Sequence, residues 1–420
     1  MSRRKYLSQY AALILAGEAI FLLPFVIPRV FRNTLLEVYQ IDNIELGYCF
    51  SIYGLVAIAS YFFGGPLADL VPSRKLMSGA LGLTAIGGFI LAINPSFQTL
   101  LWVYGFWGFS TIFLFWAALM KSTRILVNRE NEAKAFGWVE GGRGLSSALW
   151  ASLAVLLFNW FFIEEASDLS ESRNGAYQYV LFACSMVLIL VAAFTFLVLP
   201  KKEPGVDLDH SLQGFQKLLK NKGLWLQALI VLLAYCAYKL TDDLSLYAHE
   251  VWGLNEKAAL AITSKALYLR PIAAVLAGIA ADRLKASRVL LLCFSSGALG
   301  AFLLSFEGSA NYSAFSLIWF GIALAGIYGL RGIYIALMRE NAVPRALSGT
   351  AVGIISVVGY LPDVFMSPLM GYILENKPGA EGHYDLFRLL AGLMVAGFLV
   401  SLIWERIRGR QEASSQIAGL

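Results

Sequence analysis

GGPLADLVPSRK, residues 64–75, and AGIAADRLKASR, residues 277–288, decide the fold. Each closes a long apolar run, and each carries Gly-x-x-x-Asp followed by basic residues. The first has Gly65, Asp69, Arg74 and Lys75; the second has Gly278, Asp282, Arg283 and Arg288. Two more correspondences follow in the same order. WAALMK (116–121) matches YIALMR (334–339), and the pair Gly137 and Gly141 matches Gly349 and Gly353. The offsets are about 212 to 218 residues throughout, so one unit of roughly half the chain occurs twice in parallel.

The solvent of those apolar runs follows from composition. Of the 420 residues, 58% are hydrophobic and 15% are charged, with a mean hydropathy of +0.66. A soluble domain carries less apolar residue and more charge. Runs of about 20 apolar residues are long enough to cross roughly 30 Å of hydrocarbon. Twelve such spans are expected, near 8–31, 46–69, 76–94, 98–120, 135–159 and 176–199, then 223–247, 256–281, 287–306, 312–337, 347–374 and 384–404. One polar linker, 200–222, separates a six-span bundle over 1–199 from a second over 223–420. The expected fold is therefore an all-α integral membrane protein of two six-helix bundles.

The net charge of +5 does not point to nucleic acid, because the basic residues sit in short clusters between apolar runs. With the N-terminus inside, about 22 of the 33 Lys and Arg fall in inside loops and tails and about 4 outside. Both termini are thus expected in the cytoplasm. MSRRKYLSQY leads into the first span without an A-x-A type cleavage site, so that span is expected to stay. Cys49, Cys184, Cys236 and Cys293 lie in apolar runs without CxxC spacing and read as small core residues. No metal-ligand cluster, nucleotide loop or nucleophile–base motif is present to suggest a cofactor or an enzyme.

The Gly65/Asp69/Arg74/Lys75 stretch resembles the signature of the major facilitator superfamily between its second and third helices, with a degenerate copy at Gly278/Asp282/Arg283/Arg288. Leu70 stands where a basic residue is common and Pro72 where Gly is common; LPKKEP at the end of span six resembles another element of that family. The resemblance covers essentially the whole chain. It implies a carrier working by alternating access, in which the signature forms a cytoplasmic charge lock. LGYCFSIYGLVAIASYFFGGPLAD (46–69) and AYKLTDDLSLY (237–247) further resemble the sugar-phosphate and organophosphate permease branch. That branch grips phosphate with basic residues in the first and seventh helices. Lys239 falls near the seventh-helix position, while Arg29, the first-span candidate, lies toward the outer end and Glu18 holds mid-span.

Ionisable groups at membrane depth are costly, and each is a functional candidate. At about 1.5 Å per residue, Glu18 and Arg270 fall near the midplane, Lys239 and Asp363 somewhat outward, and Glu140, Arg143 and Arg331 in the inner half. All lie on spans one, five, seven, eight, ten and eleven, several of which line the family's central cavity. Each also has a structural reading. Glu140 and Arg143 are i,i+3 neighbours; Lys239 has Asp242 and Asp243 within a turn, and those two acids also read as outer-mouth residues in water; Arg270 precedes Pro271, which frees a carbonyl. Arg331 and Glu18 have no opposite charge within a turn. Asp363 sits in GYLPDVFMSP (359–368), between two helix-breaking prolines inside a span.

Substrate contacts are therefore expected from Arg331, Arg270 and Lys239, with Arg143 and Arg29 as further basic candidates, and proton coupling from Glu18, Asp363 or Glu140. The expected function is secondary active transport of a small phosphorylated, carboxylated or zwitterionic solute across a bacterial inner membrane, by a monomer and coupled to protons. A non-transporting solute sensor and an exporter of an acidic compound, such as a siderophore or drug, remain the alternatives.

Overall fold

In hydrocarbon no water satisfies backbone N–H and C=O groups, so an apolar run must close its hydrogen bonds within itself. The runs accordingly form helices. The computed structural model describes residues 3–126, 132–165, 167–201, 216, 218–306, 312–334, 337–340 and 348–418, and every regular element among them is helical. Residues 202–215 and 217 of the 200–222 linker lie outside the described residues. Eleven helices among the described residues are long and apolar enough to cross a membrane, from Tyr6–Val30 to Ala380–Arg408. The third expected span forms helix Ser73–Leu91 but is not among the eleven. Arg74, Lys75 and four glycines dilute its apolar character.

The helices group into two compact units. One comprises residues 1–206, 241–271 and 363–383; the other comprises 207–240, 272–362 and 384–420. The division cuts spans seven, eight and eleven where their helices are irregular. Span seven runs as helix Lys222–Lys239, a 3₁₀ turn Leu240–Asp243 and helix Leu244–Glu250. Span eight breaks between Glu256–Ala266 and Leu269–Leu284. Span eleven breaks between Ser348–Gly359 and Pro362–Asn376.

Proline chemistry explains the breaks. Pro271 cannot donate to Leu267 O, and the backbone N–H of Arg270 does so instead at 3.1 Å. Pro362 cannot donate to Val358 O, which Leu361 N–H takes at 3.2 Å. Pro368 lies inside helix Pro362–Asn376 and leaves Val364 O without its helical donor; the Ser51 hydroxyl from span two donates to that carbonyl. The two helices come close enough for this because Gly54 faces the Asp363 backbone, where a Cβ would meet a carbonyl carbon at 2.7 Å. Ser51→Ala is expected to lower stability by about 1–3 kcal/mol, the cost of a buried unmet acceptor. Thermal unfolding in detergent reads this, and an unchanged midpoint would show that the hydroxyl does not hold the kink.

Spans one and four in the first unit are also irregular. Span one passes from helix Arg3–Ala19 through a π-helical turn Leu22–Val26 into Ile27–Val30, with Pro24 and Pro28. Span four holds a π-helical segment Phe109–Trp116, a form that often marks functional sites. Their apolar faces share one core with Tyr53, Tyr104, Trp107 and Phe158, all fully or nearly fully buried. In the second unit, helix Ala286–Leu304 packs on Ala314–Ile333 at Gly326, whose Cβ would lie 2.6 Å from Cys293 O. All four cysteines are free thiols, three of them buried, as expected of core residues.

Candidate functional site

Glu18 is the hub of the buried charges in the first unit. It ends a helix just before the π-helical turn of span one and is 2% exposed. Its Oε1 accepts from Arg270 Nη1 at 3.0 Å, and its Oε2 lies 3.4 Å from Arg143 Nε. Arg143 also donates to Gly17 O at 2.8 Å and pairs with Glu140, the i,i+3 neighbour expected from the sequence. The Arg143 guanidinium lies 5.5 Å from the Phe21 ring and 5.6 Å from that of Trp116. Arg143 and Arg270, both buried, thus share one buried carboxylate. The freed carbonyl before Pro271 takes the Arg270 backbone N–H, so its guanidinium is available for Glu18.

A second charge cluster joins spans one and seven. Arg29 donates through Nε and Nη2 to Asp242 Oδ1 at 2.8 and 2.6 Å. Arg32, one turn on, lies 2.7 Å from Asp243 Oδ1 and also donates to Asn43 Oδ1. Asp242 and Asp243 are 2% and 3% exposed, which corrects the expectation that they sit in water at the mouth. The 3₁₀ turn at Leu240–Asp243 turns both acids toward span one. Arg29 is equally buried, a partner to Asp242 rather than an exposed cation. Beside them the Thr34 hydroxyl donates to Glu256, and Arg173 binds Glu256 at 2.9 Å and Glu37 as well. Sequence reading missed Arg32, Thr34, Asn43, Glu256 and Arg173. The i,i+3 pair Arg29 and Arg32 matched against the adjacent Asp242 and Asp243 was the signal available.

Asp363 is 7% exposed in the first turn of its helix, against Gly54. An acid is at home there, because a helix N-terminus favours negative charge.

In the second unit the described residues bury Lys239 but no carboxylate. Arg331, in the last turn of helix Ala314–Ile333, stacks its guanidinium 4.0 Å from the Tyr238 ring centroid and 5.4 Å from that of Tyr235. Among the described residues it has no ion pair and no hydrogen bond. Tyr235 and Tyr238 are i,i+3 neighbours on helix Lys222–Lys239, so one face carries both rings. Tyr235 meets Tyr360 edge-on at 4.8 Å, and Tyr360 Oη lies 3.3 Å from Tyr334 Oη. Next to them a pocket is lined by Gln227, Val231, Tyr334, Ile355, Ser356 and Tyr360.

Gly65 and Asp69 fall in the last turns of helix Asn43–Leu70, but their side-chain surroundings lie outside the described residues. Arg74 stacks over Phe196 at 4.6 Å, and Arg288 pairs with Glu405 at 3.1 Å. Lys75 opens helix Ser73–Leu91 beside Arg74, Gly278 lies inside helix Leu269–Leu284, and Asp282 and Arg283 are exposed near its end. Lys121, from WAALMK, donates to Ala68 O at 2.7 Å and caps the helix that carries Asp69.

Many-span helices broken by prolines at the depth of buried, paired charges define a polytopic membrane carrier. Comparison gives the same class. The chain belongs to the major facilitator superfamily, whose family model matches residues 11–367, and this is a family of membrane transporters rather than enzymes. It is similar to the inner membrane protein YihN of Escherichia coli (strain K12), 27% identical over 428 residues, covering 98% of each chain. It is also similar to the inner membrane protein YqcE of the same strain, 28% identical over 388 residues and covering 89% of this chain and 88% of that one. Its fold is similar to the crystal structure of a bacterial homolog of the human lysosomal transporter Spinster, inward-facing and unoccupied. That likeness has a TM-score of 0.74 and 14% identity, and covers 97% of this chain and 98% of that one.

Proposed function

We propose that this transporter carries a small organic anion across a bacterial inner membrane by alternating access between its two six-span halves, coupled to protons. The observation that carries this reading is Arg331, a guanidinium held on tyrosine rings with no carboxylate partner among the described residues. An arginine so held keeps its in-plane N–H donors for an anion. Lys239, buried in the same unit, adds positive charge. The inner-membrane names of YihN and YqcE support the location, and the Lys/Arg bias of the loops supports cytoplasmic termini.

The other basic candidates act in coupling and gating. Glu18 is engaged by Arg270 and Arg143; protonation of Glu18 releases Arg270 and lets span eight move. Asp363 is the second proton site. The pairs Arg29–Asp242 and Arg32–Asp243 hold the ends of spans one and seven together, and part when the site opens toward that side. The signature of Gly65, Asp69, Arg74 and Lys75, with its copy at Gly278 to Arg288, gates the cytoplasmic side.

The test is uptake into proteoliposomes driven by an imposed proton gradient. A thermal-shift screen of sugar acids, phosphorylated sugars, polycarboxylates and siderophore-like acids on the purified protein supplies the solute. Uptake that follows the gradient and collapses with a protonophore is expected. Binding without flux would make the protein a solute sensor instead, and movement of acid only outward would make it an exporter.

A further inference from the structure

We infer that the first unit holds an anionic phospholipid where span three begins and span six closes, with Arg74 as its phosphate contact. Three observations carry this. The first is the setting of Arg74. Its guanidinium lies 4.6 Å from the ring centroid of Phe196, in the last turn of helix Leu169–Val198. Among the described residues Arg74 has no ion pair and no hydrogen bond, and its buried Nε is unmet. A guanidinium laid on a ring keeps its in-plane N–H donors for a phosphate oxygen. The corresponding cation of the second half, Arg288, is instead paired with Glu405 at 3.1 Å. Two copies of one signature thus place their cations differently, one against an acid and one on an aromatic ring.

The second is the apolar surface at the same span ends. Phe196 is 42% exposed, and its neighbour Leu197 is 79% exposed. Leu70, four residues before Arg74 at the end of span two, is 83% exposed. Apolar side chains this exposed on a membrane-spanning chain gain from covering by acyl chains. A free phosphate ion offers them nothing; a phospholipid brings its phosphate and its tails together.

The third is charge. Lys75 and Lys201 are exposed, and so is Arg4, on the helix that Gln9 ties to Val198 O at 3.3 Å. Residues 3–17, 71–81 and 190–201 hold no acid. Each Lys or Arg close to an anionic leaflet strengthens the attraction about fivefold. A zwitterionic headgroup brings a cation of its own against these residues, whereas a headgroup of net negative charge does not.

The full-length protein, delipidated in detergent, is titrated with phosphatidylglycerol and with phosphatidylcholine, and bound lipids are counted by native mass spectrometry. The first phosphatidylglycerol is expected to bind about tenfold tighter than phosphatidylcholine, and millimolar inorganic phosphate should not displace it. Arg74→Gln should weaken that phosphatidylglycerol about tenfold, the loss of hydrogen bonds to a charged group. Phe196→Ala, which removes the ring that orients the guanidinium, should weaken it about threefold. Arg288→Gln should leave it unchanged. Without lipid, Arg74→Gln should unfold at the wild-type temperature within a few degrees, since Arg74 has only its ring contact to lose. Should that variant not fold, Arg74→Lys reads the same site, with a loss of about threefold. Equal affinity for the two lipids, displacement by inorganic phosphate, unchanged binding in the Arg74 variants, or an equal loss in Arg288→Gln overturns the inference.

Discussion

Arg331→Ala is expected to lower the affinity for the transported acid about a hundredfold while the protein remains folded. Hydrogen bonds to a charged group contribute about 1.5–3 kcal/mol, and about 1.4 kcal/mol corresponds to tenfold in affinity. The folded state loses less. Arg331 has no ion pair among the described residues, only its stacking on Tyr238 and Tyr235, worth about 0.5–2 kcal/mol. The two tyrosines remain stacked on each other without it. Calorimetric titration with the acid that most stabilises the wild type measures the first effect, and thermal unfolding measures the second. A large fall in stability with unchanged affinity would make Arg331 a structural residue.

Glu18→Ala is expected to act in the opposite sense, through stability first. Glu18 serves two buried guanidiniums, and its removal leaves Arg270 without its 3.0 Å partner and Arg143 with Glu140, a half-exposed acid. Removing one member of a buried pair costs about 3–5 kcal/mol, because the remaining charge is left desolvated. The double variant Glu18→Gln with Arg270→Gln should recover part of that loss, since it removes the orphaned charge. If the single and double changes are additive, the two residues are not coupled in the folded protein. Where the protein tolerates Glu18→Gln, proton-driven uptake should be lost while binding of the acid persists.

The fold was legible because two signals agreed: apolar runs of spanning length, and a repeat carried by Gly65/Asp69 and Gly278/Asp282. Span eleven was legible in detail, since Pro362 and Pro368 announce a kink at fixed positions. What the sequence does not state is who satisfies the freed carbonyls. Ser51 does so for Pro368 from more than three hundred residues away, and no local pattern points to it.

The site was half legible. That Glu18 and Arg331 have no neighbour of opposite charge could be read from one helix turn, but that Arg270 on another span reaches Glu18 could not. Asp242 and Asp243 were misread, because their proximity to a helix end suggested water. Their burial depends on Arg29 and Arg32, which pairwise spacing within one helix cannot reveal. The tyrosines around Arg331 were also individually unremarkable, since an aromatic in a membrane span is usually packing. Only their convergence on one guanidinium gives them a role.

The most direct test of the central claim is counterflow in proteoliposomes preloaded with unlabelled acid and diluted into trace labelled acid. The account predicts transient accumulation of label by the wild type and almost none by Arg331→Ala. Wild-type protein that binds the acid without accumulating label, or an Arg331→Ala variant that accumulates it as well as the wild type, would contradict it.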